Sequence, residues 1–472
     1  MYAKNPEHFL YHKQLPQNYT EKKIPAADKT ISNKKVLTTY IAVSAITLST
    51  IAGGIMFLQE TRKGKVSPYI NELVQGLSKL TKKEIKPKQL QSIMDKEELL
   101  STLANLKEEN YVASAENISK GIFRADLHSH SNYSDGKGKV EDILDNVAQY
   151  ADKLFEKTKN KFIFALSDHD GVKGVNKALT IIASSPEKFK NVRFVPAVEL
   201  SFTHHAAKSS NSFETSEVLA YCINSFSPKL DKFLTDIQSK RELLMHNFYK
   251  DLEKMFPDVS FSYNEFAKHY NMMQPANYFK VNLQWKMYHY GQTKKAISEF
   301  AKTQNKNPND LYSEIMNKTD NKKSLWDLKI KGLVPKNYSD DSRILDLCKK
   351  YIPHEVNGKI IADGENTFEE IIETFSDDKN TFLAFAHPYF FSERVNDVFQ
   401  FSKTLIEKSK GLLKATETYH QAYDFVEIQK KIGGGNPQKA INDINSIILN
   451  VNNKLLPVGG RDSHNEIWLS AY

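Results

Sequence analysis

His128 and His130 stand two residues apart at the end of an apolar run, Ile122 to Leu127, that reads as a strand. Residues i and i+2 of a strand face the same side, so both imidazoles can reach one divalent ion. Asp135 returns on the following loop and offers a hard oxygen. Four later stretches place similar groups after apolar runs: Ser167-Asp168-His169-Asp170-Gly171, Glu199, His387-Pro388, and Gly459-Gly460-Arg461-Asp462-Ser463-His464. Imidazoles and carboxylates without thiolates suit Zn, Mn or Fe. Carboxylates can bridge two such ions about 3.5 to 4 Å apart, which lowers the pKa of a bound water and clamps phosphoryl oxygens. The chemistry indicated is hydrolysis of a phosphoester near neutral pH.

The groups need a scaffold that brings distant segments to one place. Strands are expected at Ile122 to Leu127, Lys161 to Leu166, Val192 to Val198, Thr381 to Ala386, Gly411 to Thr416 and Leu455 to Val458, with helices at Val140 to Phe155 and Asn176 to Ala183. Strand and helix in alternation give an α/β fold with a parallel sheet or barrel, where chemistry collects at the carboxyl ends of the strands. Residues 227–372 break the pattern with helical runs, Leu230 to Met255 and Asp310 to Ile315, and read as a helical insertion serving as lid or substrate-selecting module.

The chain has 472 residues, 40% of them hydrophobic, enough for a barrel with insertions or for two domains. A formal charge of +8 favours anionic partners, but no arginine-rich block implies a specific nucleic-acid partner. Cys222 and Cys348 alone build neither a disulfide framework nor a cysteine zinc cluster. Residues 1–35 are a polar, proline-interrupted tail. Residues 36–58 carry no charge and are long enough, at about 1.5 Å per residue, to be expected as a single transmembrane helix. Lysines ahead of it (Lys22, Lys23, Lys29, Lys34, Lys35) outnumber the basic residues behind it (Arg62, Lys63, Lys65), which places the C-terminal part on the non-cytoplasmic side of the membrane. Residues 59–120, with Ile70, Leu73, Leu77, Leu80, Leu99, Leu100, Leu103 and Leu106 at helical spacing, are expected to form a membrane-proximal helical stalk.

The stretches HSHSNYSDG, LSDHDG, PAVELS, AFAHP and GGRDSH, in this order, resemble the polymerase and histidinol phosphatase (PHP) family of metal-dependent phosphoesterases, in the branch with a helical insertion before the Ala-His-Pro motif. The resemblance covers roughly residues 121–466. It implies a distorted (β/α)7 TIM-like barrel within 121–472 and a site for two or three divalent ions (Mn, Zn or Fe). It further implies that His128, His130, Asp135, His169, Glu199, His387, Asp462 and His464 are the ligands, with Asp168 orienting a ligand or a water. Where relatives carry a further ligand histidine this chain has Glu217, either a carboxylate ligand favouring a harder metal or an exposed side chain at a strand start. His204 and His205 are alternative sources of the missing nitrogen. Arg461 stands where relatives have a small residue, and can grip a phosphate or make an ion pair under the rim; Arg241 falls where relatives place substrate-gripping arginines. Glu417 and His420 end a strand and can join the site or form a hydrogen-bonded pair at the rim, the pair being the expected role.

The function so implied is a membrane-anchored metal-dependent phosphoesterase acting on a small phosphorylated molecule such as a nucleotide. Alternatives are an impaired PHP-like scaffold at the membrane and an amidohydrolase-like metal hydrolase, since amidohydrolases also begin with His-x-His on a barrel strand.

Overall fold

The computed structural model describes residues 66–107, 110–111, 123–206, 209–262, 264–265, 283–318, 341–350, 354–356, 359–361, 366–388, 395–420 and 455–464. Nine strands are named among them: β1 (Ala125–Asp126), β2 (Phe162–Leu166), β3 (Val192–Ala206), β4 (Ser209–Tyr221), β5 (His354–Val356), β6 (Lys359–Ile361), β7 (Phe382–Phe385), β8 (Leu413–His420) and β9 (Leu456–Gly460). β5 and β6 form a separate hairpin, and the other seven form one sheet in the order β1-β2-β3-β4-β7-β8-β9. Its two edges meet. The backbone N–H of Leu127 donates to Gly459 O at 3.1 Å, that of Asp462 to His128 O at 2.9 Å, and that of His130 to Ser463 O at 3.0 Å, so the sheet comes close to a closed barrel.

All of its pairings are parallel except those of β4, which runs antiparallel to both β3 and β7. The alternating pattern in the sequence does not foretell this reversal, yet chain length demands it: only residues 207–208 separate β3 from β4, and a parallel crossover needs a dozen or more. β3 also continues beyond the expected end at Val198, to Ala206, pairing with β4 as a long hairpin.

Period-two alternation sorts the side chains of these strands. Ala197, Leu219, Tyr221, Phe382 and Ala384 belong to one core, and the Tyr221 hydroxyl reaches across to Leu127 O at 3.0 Å. Their neighbours Val198, Leu200, Val218, Ala220, Leu383 and Phe385 belong to a second core shared with helices. Glu199 and Glu217 follow the first set, which aims both at the barrel mouth.

The helices in chain order are α1 (Pro68–Thr81), α2 (Lys96–Leu103), α3 (Val140–Thr158), α4 (Lys173–Ser184), α5 (Pro228–Met255), α6 (Leu283–Thr303), α7 (Pro308–Lys318), α8 (Ser342–Lys350), α9 (Phe368–Phe375) and α10 (Val395–Lys408). Residues 66–107 are not a stalk. Tyr69, Leu73, Leu77, Leu99 and Leu103 are fully buried in the barrel's core, and the Tyr69 hydroxyl donates to Ile223 O at 3.1 Å. Burial follows the helical repeat, although Leu80, expected on that face, is 54% exposed.

The helices from α5 to α8 gather a hydrophobic core of their own. α5 begins with Ser227 as cap and Pro228 in the first turn, both favourable there. Its first half packs Leu230, Leu234 and Ile237 on the barrel, together with Phe368, Ile371 and Ile372 of α9. Its second half packs Leu244, Met245, Phe248 and Leu252 against Met287 and Tyr290 of α6, Leu311 of α7 and Ile344 of α8. α9 therefore belongs to the barrel, so the insertion ends before Phe368, short of the expected 372.

The expectation of a single-pass membrane protein is corrected: among the described residues no helix is long and apolar enough to cross a membrane. Residues 36–58, on which that expectation stood, lie outside the described residues, as do the tail 1–35 and residues 59–65.

Candidate metal centre

The last residues of the strands and the loops after them converge at one rim. β1 leads into His128 and His130, β2 into Asp168, His169 and Asp170, β7 into His387, and β9 into Asp462 and His464. β3 supplies Glu199, and the reversed strand β4 brings Glu217 to the same end, facing Ser201 in register. Three overlapping groups result: His128, His130, Glu199 and Asp462; His130, Asp135, His169 and His464; His169, Glu199 and Glu217. Within each, one ligand atom per residue lies within 4.8 Å of all the others.

Finer distances carry more information. His128 Nε2 lies 3.1 Å from His130 Nε2, 3.0 Å from Glu199 Oε2 and 3.4 Å from Asp462 Oδ1. His130 Nε2 lies 3.2 Å from the same Glu199 oxygen and 2.9 Å from the same Asp462 oxygen. Ligands held at about 2.0–2.2 Å from one ion at angles near 90–110° stand about 3.0–3.4 Å apart, so this spacing fits a shared cation. The other Glu199 oxygen, Oε1, lies 3.0 Å from His387 Nε2, and His387 Nε2 lies 3.2 Å from Glu217 Oε2. His464 Nε2 and Asp135 Oδ2 are 2.7 Å apart.

The electrostatics agree with the geometry. Burial pulls His128, His130, His387 and His464 down, but the neighbouring carboxylates prevail and raise all four above the ordinary histidine range. Burial works against Asp135 too, yet His464, His169 and His130 hold its carboxyl well below the usual range. Glu217 is raised, first by burial and then by the charge of Glu199. The site thus draws positive charge into a buried place, which divalent cations satisfy with the donor types they prefer.

The surroundings hold these groups in place. Glu417 is fully buried, 3.1 Å from His128 Nδ1, and also accepts the backbone N–H of His387 at 2.8 Å. A carboxylate behind a ligand histidine fixes its tautomer and orientation. The sequence suggests instead that Glu417 pairs with His420 at the rim. The signal for its real position is its place at a strand's carboxyl end, shared by the other site groups; the side chain of His420 lies outside the described residues. Asp126 carries no motif in the sequence, yet it accepts the backbone N–H of Arg461 at 3.0 Å and the Ser129 hydroxyl at 3.4 Å, tying the β1 and β9 ends together.

Asp168, expected to orient a ligand or a water, clamps the loop that carries Asp135. It accepts Ser131 N at 2.7 Å, Ser131 Oγ at 2.8 Å and Ser134 Oγ at 2.8 Å. Gly136 closes that loop, since a Cβ there would sit 2.6 Å from the His130 backbone carbonyl. Arg241, expected to grip substrate, is 1% exposed and pairs with Asp170 at 2.8 Å. Arg461 is 3% exposed. Glu217 is not an exposed strand-start residue; it is buried and its Oε1 accepts from Ser201 Oγ at 3.1 Å. His204 does not join the cluster: its Nε2 is 2.8 Å from Ser216 Oγ and its ring packs on Phe401. The side chain of His205 lies outside the described residues. Asp170, His387 and Asp462 have positive φ angles of 43°, 21° and 51°, backbone strain of the kind that gathers at functional sites.

No protein-family model matches the sequence, and no curated protein matches it. Among solved structures, the chain is similar to a protein named as a metal-dependent phosphoesterase from Bifidobacterium adolescentis, with 14% identity and a TM-score of 0.39 over 72% of this chain and 88% of that one. It is also similar to an amidohydrolase from Chromobacterium violaceum holding sulfate and no metal, with 14% identity and a TM-score of 0.41 over 73% of this chain and 90% of that one.

Proposed function

We propose that the chain is a metal-dependent hydrolase of the PHP kind that cleaves a small phosphoester, with His128, His130, Asp135, His169, Glu199, Glu217, His387, Asp462 and His464 as ligands of two or three divalent ions. The observation that carries this reading is the sharing of Glu199 between two of the three groups, one oxygen turned to His128 and His130 and the other to His387. A carboxylate so placed could serve cations in both groups, and such cations, when bound, would supply Lewis acidity to a reacting water and charge neutralisation to phosphoryl oxygens.

Charge favours phosphate over a neutral amide. Three divalent ions bring about six positive charges, against the carboxylates of Asp135, Glu199, Glu217 and Asp462 in the three groups. With three ions the centre stays net positive even with Glu417 counted behind His128; with two it does not. A phosphomonoester dianion answers that surplus. The exposed edge lies at Asp135, Asp462 and His464, whose side chains are 25%, 20% and 35% accessible, while His128, His130 and Glu199 are sealed beneath. Substrate therefore approaches over the Asp135 and His464 edge.

The test is a panel of phosphomonoesters, nucleotides, amides and lactones offered to the full chain loaded with Mn or Zn. Release of inorganic phosphate is expected. Stoichiometric metal with no phosphoester cleaved contradicts the reading; turnover of amides or lactones alone places the chain with amidohydrolase-like enzymes, and no turnover at all leaves a metal-binding scaffold.

A further inference from the structure

Asp170 follows the site residue His169 directly, and its carboxylate has two duties. Oδ2 accepts from Arg241 Nη2 at 2.8 Å, and Oδ1 accepts the backbone N–H of Ser201 at 3.4 Å. Ser201 in turn donates through Oγ to Glu217 Oε1 at 3.1 Å. The backbone closes the same circuit, because Asp170 N donates to Glu199 O at 2.8 Å. Asp170 holds a left-handed φ of 43°, a conformation its side-chain partners help to fix.

Arg241 comes from α5, at the point where that helix passes from the barrel's outer core, ending at Ile237, to the insertion's own core, starting at Leu244. Both partners are sealed, with side-chain accessibilities of 1% and 0%. A buried ion pair gains little stability over an apolar pair of equal volume, but losing one partner leaves an uncompensated charge. Such a pair serves placement better than stability. It is also unsuited to gripping substrate, since the guanidinium is already engaged by a carboxylate inside the protein.

We propose that Arg241 is a positioning residue through which the helical insertion completes the cation position formed by His169, Glu199 and Glu217, by fixing Asp170 and, through Ser201, the carboxylate of Glu217. This rests on the reading above that the three groups hold cations. The insertion then acts on the centre from behind, in addition to any role over its mouth.

The test compares the full-length parent with Arg241→Gln, Arg241→Lys, Asp170→Asn and the Arg241→Gln/Asp170→Asn double variant. Each is titrated with Mn, its bound metal is counted by elemental analysis, and its circular dichroism is recorded. With the fold unchanged, Arg241→Gln is expected to weaken one Mn site about 10- to 100-fold and to leave the others as in the parent. kcat falls while KM for phosphoester stays level. Arg241→Lys recovers part of the affinity, and the double variant is no worse than the poorer single one, as for residues acting in one chain of contacts. If Arg241→Gln keeps every Mn site at parent affinity and raises KM instead, the proposal is overturned and Arg241 binds substrate. If Arg241→Gln does not fold, Arg241→Lys and Asp170→Asn decide: parent affinity at every site in both overturns it. A parent that binds no Mn defeats the underlying reading and the proposal together.

Discussion

Glu199→Gln is expected to retain its fold, to bind fewer divalent ions per chain and, on the proposed activity, to cleave phosphoester about 10³-fold more slowly than the parent, a loss at the upper end for one removed electrostatic contact. The substitution keeps shape and volume and removes only charge. Glu199 is fully buried, and its two oxygens face His128 and His130 on one side and His387 on the other. A neutral amide offers one oxygen and one NH₂ group, so it cannot serve both sides as an acceptor. Its NH₂ would have to face a ring nitrogen or a cation. Elemental analysis and steady-state kinetics read both effects. Parent-level metal content with parent-level turnover would remove Glu199 from the centre.

Gly460→Ala is expected to disable the centre by sterics alone. A Cβ at Gly460 would lie 2.4 Å from His128 Cβ and 2.5 Å from His128 N, distances no real Cβ sustains. Neither side can give way cheaply. Gly460 is paired with His420 in the sheet, the preceding Gly459 accepts from Leu127 N, and the His128 carbonyl accepts Asp462 N. One methyl group therefore forces apart the β1 and β9 ends that carry His128 and Asp462. Overpacking of this kind costs about 1–3 kcal/mol. The melting temperature falls accordingly, and metal content and turnover fall with it. Thermal unfolding alongside metal counting checks this, and a Gly460→Ala variant with the parent's melting temperature, metal and activity would refute the close approach.

Much of this centre is legible in the amino-acid sequence. His128, His130, Glu199, His387 and Asp462 each end an apolar run, and the rule that chemistry gathers at strand ends brings them to one rim without knowledge of the helices. Glu217 needs more, because its position depends on β4 running backwards, and that follows from the two-residue connection rather than from any local pattern. Asp168 and Arg241 stand beside or near ligand motifs, and the sequence does not say what they touch. A charged residue beside a ligand motif looks the same in sequence whether it faces substrate or clamps a loop; only the partners Ser131, Ser134 and Asp170 separate the cases. Asp126 errs the other way, since a group that ties two strand ends together leaves no spacing of its own. The helices of 66–107 show amphipathic spacing that announces an apolar partner without saying which; the barrel is that partner.

Whether these side chains surround cations is decided most directly by anomalous diffraction from crystals of the full chain grown with Mn. Anomalous peaks are predicted inside the cluster, one within about 2.0–2.3 Å of the Nε2 atoms of His128 and His130, and another reached by Asp135 and His464. No anomalous peak among these residues, with His128, His130, Glu199 and Asp462 bonded only to one another, would contradict a metal centre here.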